Sequence, residues 1–445
     1  MRSDMNDASV KERPCKATSG KTDPANRYGV IMKRIIPIGL FLLVHLAGQA
    51  ETLSLEACLK LACQNNPDLI RSEYSLKTAQ IAVGQARSSF YPGVSAGASA
   101  STSGPVGDYD PEWGWSMSAG VSQTLYRPGL FTHVGLARER KESAELSDRS
   151  LRDQIRMTVE RYYYQFLTSD TLIGVYRANI RLAEEQIRKM RQMVDLGLRR
   201  QSDLLKSEVQ RGTFEAQLVR EEETRDAYRR GLNVLMGRAP EAPLLLRPVS
   251  VGSPGISDLE TARTAMIENN PDLLRLRKQI DIQTLSLRVA REAYLPSLSA
   301  SYSYSRSRGA FGGETVENDQ VGLRLSLELF SGFSRNQAVQ RERVGLDAAR
   351  LDFEAALRDQ DEKLLNRYKS LDTQNRLIEI HRTNLESARE DLEVVSRQYA
   401  AGFSSILDLM DAQLSVLESE TSLLRVLYAR KMVESEIRKL IGGGG

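Results

Sequence analysis

The sequence predicts a mainly α-helical chain with a small β part, built from one unit written twice. Three observations carry that reading: a duplicated set of landmarks, two proline-free stretches long enough for coiled-coil hairpins, and four short segments whose period changes from helical to two.

The duplication comes first. Asn65-Asn66-Pro67-Asp68-Leu69 recurs as Asn269-Asn270-Pro271-Asp272-Leu273, and Tyr91-Pro92 recurs as Leu295-Pro296, all at a spacing of 204. Gly197, Asp203 and Leu235-Met236-Gly237 recur as Gly402, Asp408 and Leu440-Ile441-Gly442 at a spacing of 205. The chain therefore divides into a first repeat over 51–237, a linker over 238–258 marked by Pro240, Pro243, Pro248 and Pro254, and a second repeat over 259–445.

Each repeat opens with helices, over 53–90 and 259–294. Proline disfavours helical geometry in the residue before it yet suits the first position of a new helix, and Asp one place on favours the helix dipole. Pro67 and Pro271 thus restart helices, which Pro92 and Pro296 end.

Strands follow, over 93–103 and 113–126 in the first repeat and 297–305 and 319–330 in the second, four in all. Val321, Leu323, Leu325, Leu327 and Leu329 alternate with mostly polar residues, so one face is oily. The stretches 104–112 and 306–318 are polar and Gly-rich, as exposed loops are. Trp113 and Trp115 share a face, as do Tyr302 and Tyr304; they fit either ordinary strand aromatics or the aromatic girdle of a membrane barrel.

Long helices over 131–196 and 334–401 complete the repeats, with return helices over 202–236 and 405–441. Leu357, Leu364, Leu371, Ile378, Leu385, Leu392 and Tyr399 lie seven apart, the period that makes helices wind around neighbours. At about 1.5 Å per residue the first long helix spans roughly 100 Å. Gly197 and Gly402 break the two long helices.

Composition agrees, with aromatics at 6% and charged residues at 27% of 445. Residues 32–50 read as a secretory signal: Lys33 and Arg34, an apolar run, then Gly48-Gln49-Ala50 as a small-x-small cleavage site. Residues 1–31 form a leader extension that fits no targeting pattern, which makes Met32 a candidate start. Beyond the leader, 53 basic residues face 54 acidic ones, and no basic face for nucleic acid is evident. Cys58 and Cys63, about 140° apart on a helix, read as free, buried thiols.

A sheet with one oily face places these parts in a membrane, where only a closed barrel pairs every backbone amide and carbonyl. Four strands cannot close around a duct, so the chain must assemble into a ring. A homotrimer gives twelve strands, within the range of such barrels.

The tandem plan resembles the TolC outer membrane efflux family across almost the whole chain beyond the leader. Tyr399-Ala-Ala-Gly402, followed by Asp408, Asp411 and Ala412, is similar to that family's signature at the helical turn, and Gly197-Leu198 with Ser202-Asp203 is similar to the corresponding turn of the first repeat. The resemblance implies a homotrimeric exit duct in the outer membrane of a Gram-negative bacterium: a 12-stranded β-barrel continued by a periplasmic α-helical barrel. It would be opened by a periplasmic adaptor (membrane fusion) protein and served by an inner membrane RND or ABC transporter, in a tripartite efflux pump or type I secretion system. Outer membrane lipid surrounds such a barrel.

The resemblance also implies site roles. Asp408 and Asp411 fall on the acidic entrance ring, with helix-capping or solvated acids near a turn as the other reading. Ser202, Asp203 and Tyr399 match positions that hold the entrance closed. Ser404 stands where the family's best-known closure has a basic residue, which leaves Arg199 and Arg200 either to pair with Asp203 or Asp408 or to lie in solvent. Gly197, Leu198, Gly402 and Phe403 match the adaptor contact, with packing inside the subunit as the other reading.

Catalysis finds no footing: His133 and His381 lie one in each half, no metal or cofactor motif is readable, and Met190 continues an apolar stripe. The rival reading is a periplasmic coiled-coil spacer without a pore, which has no use for four amphipathic strands.

Overall fold

The computed structural model of the protein describes residues 52–102, 113–248, 257–309 and 313–443. The leader extension, the secretory signal and the loop over 104–112 lie outside the described residues.

In chain order the elements are β1 (Thr52–Leu53), α1 (Leu55–Asn65), α2 (Pro67–Ser88), β2 (Gly93–Thr102), β3 (Trp113–Tyr126), α3 (Leu130–Asp195), α4 (Gln201–Leu235) and β4 (Leu245–Leu246). The second repeat supplies α5 (Leu259–Asn269), α6 (Pro271–Glu292), β5 (Ser297–Arg308), β6 (Thr315–Ser326), α7 (Ser334–Ala400) and α8 (Ile406–Leu440).

The recurring Asn-Asn-Pro motif is a joint. Asn66 caps α2 by accepting from the Asp68 and Leu69 amides at 2.9 and 3.4 Å, while its Nδ2 donates to the Leu235 carbonyl at 3.1 Å, at the far end of the same repeat. Asn270 caps α6 in the same way and donates to Leu440 at 2.9 Å. Both asparagines are buried. Each repeat thus closes on itself, with the start of one helix tied to the end of another. The recurring glycine follows from this: Gly237 has φ +68°, and a Cβ there would sit 2.7 Å from the Asn65 carbonyl oxygen. Gly442, at φ +70°, meets Asn269 in the same manner.

The four longer strands form one antiparallel sheet in the order β2-β3-β5-β6, with the two repeats joined at β3–β5. Residues directly opposite share a face. The register puts Val94, Val121, Tyr302 and Val321 in one row, and Ala100, Trp115, Arg308 and Thr315 in another. The apolar face therefore carries Trp113, Trp115, Met117, Tyr302, Tyr304, Val321, Leu323 and Leu325, and Val321 is 82% exposed. Beyond Tyr304 this face turns charged, with Arg306 paired to Glu317 at 3.3 Å. The opposite face is lined by serine and glycine, including Ser99 and Ser116, whose hydroxyls lie 2.9 Å apart.

Three expectations are corrected here. A second, two-stranded parallel sheet pairs β1 with β4, so part of the linker is a strand; Tyr163 donates to the Arg247 carbonyl at 2.6 Å and holds the linker down. Strand β5 reaches Arg308 and β6 starts from Thr315, which makes 306–308 and 315–318, expected as loop, part of the strands. β6 also ends at Ser326, so the alternation of Leu327 and Leu329 continues past the last paired residue. Finally, Cys58 is buried but Cys63 is only half-buried.

α3 and α7 run 66 and 67 residues and pair with α4 and α8 as antiparallel hairpins. Buried clusters follow one another down the bundle, one around Val159, Tyr163 and Leu232 and another around Met266, Leu364 and Ile437. Lower clusters mix the repeats: Phe214 and Leu172 pack with Leu417, and Ile187, Met190 and Leu204 pack with Ile406 and Leu409. Charges join the repeats as well, through Arg438 and Glu160 at 3.3 Å and Ser150 and Asp272 at 2.7 Å. Among the described residues no helix is long and apolar enough to cross a membrane. The sheet is the element with an oily surface.

Candidate functional site

Two regions at opposite ends of the long helices hold the residues singled out by sequence. At the helical end both long helices stop in the same way. Leu198 donates its amide to Met193 at 2.8 Å and Gly197 to Val194 at 2.9 Å; Phe403 and Gly402 repeat this with Gln398 and Tyr399 at 2.9 and 3.1 Å. These are helix C-caps that need a left-handed residue, and Gly197 and Gly402 supply it at φ +72° and +82°. The geometry thrusts the next side chain outward: Leu198 is 70% exposed and Phe403 88%.

The α8 turn is capped from both directions. Ser405 Oγ accepts from the Asp408 amide at 3.2 Å, and Asp408 Oδ2 accepts from the Ser405 amide at 2.7 Å. Ser404 donates its hydroxyl to the same oxygen at 2.9 Å. The Ser405 hydroxyl and amide, then the Ser404 hydroxyl, hold the Asp408 carboxyl below its ordinary range. Asp411 lies one turn further along α8, exposed. Ser202 is exposed and Asp203 half-buried in the first turn of α4.

Arg199 takes neither of the two roles left open for it. Its guanidinium lies 4.6 Å from the centre of the Tyr399 ring and donates to the Tyr399 carbonyl at 3.2 Å. Among the described residues neither Arg199 nor Arg200 forms an ion pair with Asp203 or Asp408, and Arg200 is exposed. The Tyr399 hydroxyl points to Met190 Sδ at 3.8 Å. Burial pushes this phenol up, Arg199 opposes the shift and Asp203 adds to it. The two turns, one from each repeat, are therefore clipped together by a cation stacked on an aromatic ring. Sequence reasoning missed this partner because no spacing rule links an arginine and a tyrosine 200 residues apart.

At the other end, Trp113, Trp115, Tyr302 and Tyr304 come together on the apolar face of the sheet. A second aromatic group escaped notice where strands meet helices: Tyr91, Phe131, Tyr294, Phe330 and Phe333 are all exposed. The signal was available, since Tyr91 and Tyr294 flank the strand-starting prolines. Phe90 packs on Phe131 at 5.2 Å, whereas Arg335 lies over Tyr294 at 5.1 Å in the second repeat.

A sheet with one oily face, hung on two coiled-coil hairpins with a clipped tip, is the plan of a membrane duct. Comparison with known proteins decides its kind: the family described as outer membrane efflux protein matches residues 58–238 and 263–443. The chain belongs to the outer membrane efflux protein family. The two matched segments fall one on each repeat.

Among relatives, the alkaline protease secretion protein AprF of Pseudomonas aeruginosa is 26% identical over 326 residues, covering 69% of this chain and 66% of that protein. The outer membrane protein TolC of Escherichia coli is 21% identical over 429 residues, covering 92% and 87%. The open state of the MtrE outer membrane channel of Neisseria gonorrhoeae shares the fold with a TM-score of 0.75 at 17% identity, over 88% of this chain and 89% of that one. As a member of this family, the protein is an outer membrane channel, the exit duct of an efflux or secretion system, with a long periplasmic helical extension. Outer membrane factors of this kind work with adaptor and inner membrane transporter proteins.

Proposed function

We propose that three copies of this chain close into a 12-stranded barrel in the outer membrane, continued by a helical duct whose entrance lies at the two clipped turns. The observation that carries this reading is the open sheet. Its oily face carries Val321, Leu323 and Leu325, and β2 and β6 each have a neighbour on one side only. In lipid every unpaired edge amide or carbonyl costs several kcal/mol, so β6 must pair with β2 of the next copy. Trp113, Trp115, Tyr302 and Tyr304 then form the girdle against outer membrane lipid.

At the entrance, three-fold symmetry gathers six carboxylates, Asp408 and Asp411 from each copy, which favour cations. The Arg199–Tyr399 clip, with Ser202, Asp203 and Ser404 beside it, keeps the turns together in the closed state. Exposed Leu198 and Phe403, next to Gly197 and Gly402, offer the contact for a periplasmic adaptor, through which an RND or ABC transporter feeds the duct.

The test uses the 204-residue offset between repeats. The pairing of Val121 with Tyr302 at β3–β5 corresponds, across the open edges, to Leu325 beside Ala98 of the next copy. Leu325→Cys together with Ala98→Cys should give oxidised trimers on a denaturing gel, and each single variant should not. Wild-type protein should fractionate with the outer membrane and form conducting steps in planar bilayers. A water-soluble monomer without conductance would refute the reading in favour of a periplasmic spacer.

A further inference from the structure

The hydroxyl-lined face of the sheet carries a single ionisable side chain among its described strand residues. On β2 that face shows Gly93, Ser95, Gly97, Ser99 and Ser101; on β3 and β5 it is almost wholly serine and glycine. On β6 it shows Val316, Asn318, Gln320, Gly322, Arg324 and Ser326. Arg324 stands opposite Ser299, between Leu323 and Leu325 of the other face. Every other charged strand residue lies on the oily face, Asp319 opposite Tyr304 and Arg306, Arg308 and Glu317 beyond it.

Arg324 is exposed, and among the described residues its side chain forms no ion pair or hydrogen bond. Its environment offers no neutralising acid. Along β6 its same-face neighbours are Gly322 and Ser326, and across β6 lies Ser299. If the barrel closes as proposed above, its remaining neighbour strand is β2 of the next copy, whose same face holds only serine and glycine. A guanidinium is unfavourable on the lipid side of a barrel, and the alternation that puts Leu323 and Leu325 on that side puts Arg324 on the lumen side.

We infer that Arg324 is a selectivity residue of the duct: three copies form a cationic ring on a neutral hydroxyl wall, which favours anionic solutes bearing phosphate or carboxylate groups in the barrel. This inference rests on the trimeric channel reading. It sets the barrel opposite in sign to the acidic entrance formed by Asp408 and Asp411. Charged rings in channel walls select by this means, and a planar guanidinium binds phosphate and carboxylate oxygens with paired hydrogen bonds. The field reaches across the lumen best at low salt, where screening extends to about 30 Å at 0.01 M against 10 Å at 0.1 M.

The experiment is block of single-channel current in planar bilayers by tripolyphosphate added to the outer side, at low and high salt. That side reads the barrel without passing the helical entrance. Wild type and Arg324→Lys should be blocked at low salt and released at high salt, and Arg324→Ser, which removes all three guanidiniums, should need at least about tenfold more tripolyphosphate, the cost of losing a single charge-assisted contact. Arg324→Gln gives the same comparison should the serine variant insert poorly. Equal block in wild type and the neutral variants overturns the inference while the channel stands; no conducting steps from wild type overturns the channel reading itself.

Discussion

Replacing Asn270 with alanine removes two bonds at once. The side chain caps α6 through the Asp272 and Leu273 amides and also holds the Leu440 carbonyl at the end of α8. Loss of an asparagine cap costs about 1 kcal/mol, and loss of a buried neutral hydrogen bond costs about another 1 kcal/mol, more when the carbonyl left behind finds no water. Asn270 is 3% exposed, so the higher end applies, and Asn270→Ala should destabilise its repeat by about 2–3 kcal/mol. For a unit of this size that corresponds to a melting shift of roughly 4–12 °C. Helical circular dichroism of the protein in mild detergent, followed on heating, reads it. Asn270→Ser keeps the cap acceptor but is too short to reach Leu440, so it should recover about half the loss. If Asn270→Ala melts with wild type, or Asn270→Ser is as damaging as alanine, the joint between the two helix ends does not stabilise the repeat.

Other outcomes follow from the entrance and the core. Arg199→Ala removes the stacked cation and one hydrogen bond, about 1–2 kcal/mol per copy, and should raise the open fraction of single channels roughly tenfold or more; unchanged gating would remove the clip from the mechanism. Asp408 is held below its ordinary carboxyl value of 3.8 in the folded state, so its cap is fully formed above that value and lost only as pH falls through the lowered one. Hydrogen exchange at the start of α8 should accelerate only in that acid window, and Asp408→Asn should abolish the pH step; a step near neutrality would contradict the capping geometry. Burial pushes the Cys58 thiol up to about 12, so at neutral pH the folded protein should alkylate at Cys63 and spare Cys58, a pattern mass spectrometry would reveal or overturn.

The parts legible in sequence were those written as punctuation or period. Pro67, Pro271, Gly197 and Gly402 act through backbone dihedrals, which depend on the residue itself, and the alternation from Val321 to Leu325 records two different solvents on two faces. Strand ends were less legible because Arg306 and Glu317 pair across the sheet past the oily rows, where composition resembles a loop. The two-residue strands β1 and β4 are too short to show any period; only Tyr163 and the parallel pairing hold them. At the turns proposed as the entrance, residue types could not tell an acid ring from a cap, and Asp408 carries the geometry of a cap whatever else it does. Nor does sequence reveal that Glu434, 1% exposed among coiled-coil positions, is met by Arg430 and Lys431 at 3.1 and 3.0 Å.

The seam between β3 and β5 has a consequence for how the wall is counted. Inside one chain it joins the second hairpin strand of one repeat to the first hairpin strand of the next, and the free edges of the sheet, β6 and β2, are likewise a second and a first hairpin strand. In the proposed trimer one kind of joint serves both within and between molecules, and the linker between repeats only halves the number of pieces that must find each other. If three copies close the ring as proposed, a single repeat cut free of its twin would keep both mating edges and would need six copies to complete the circle.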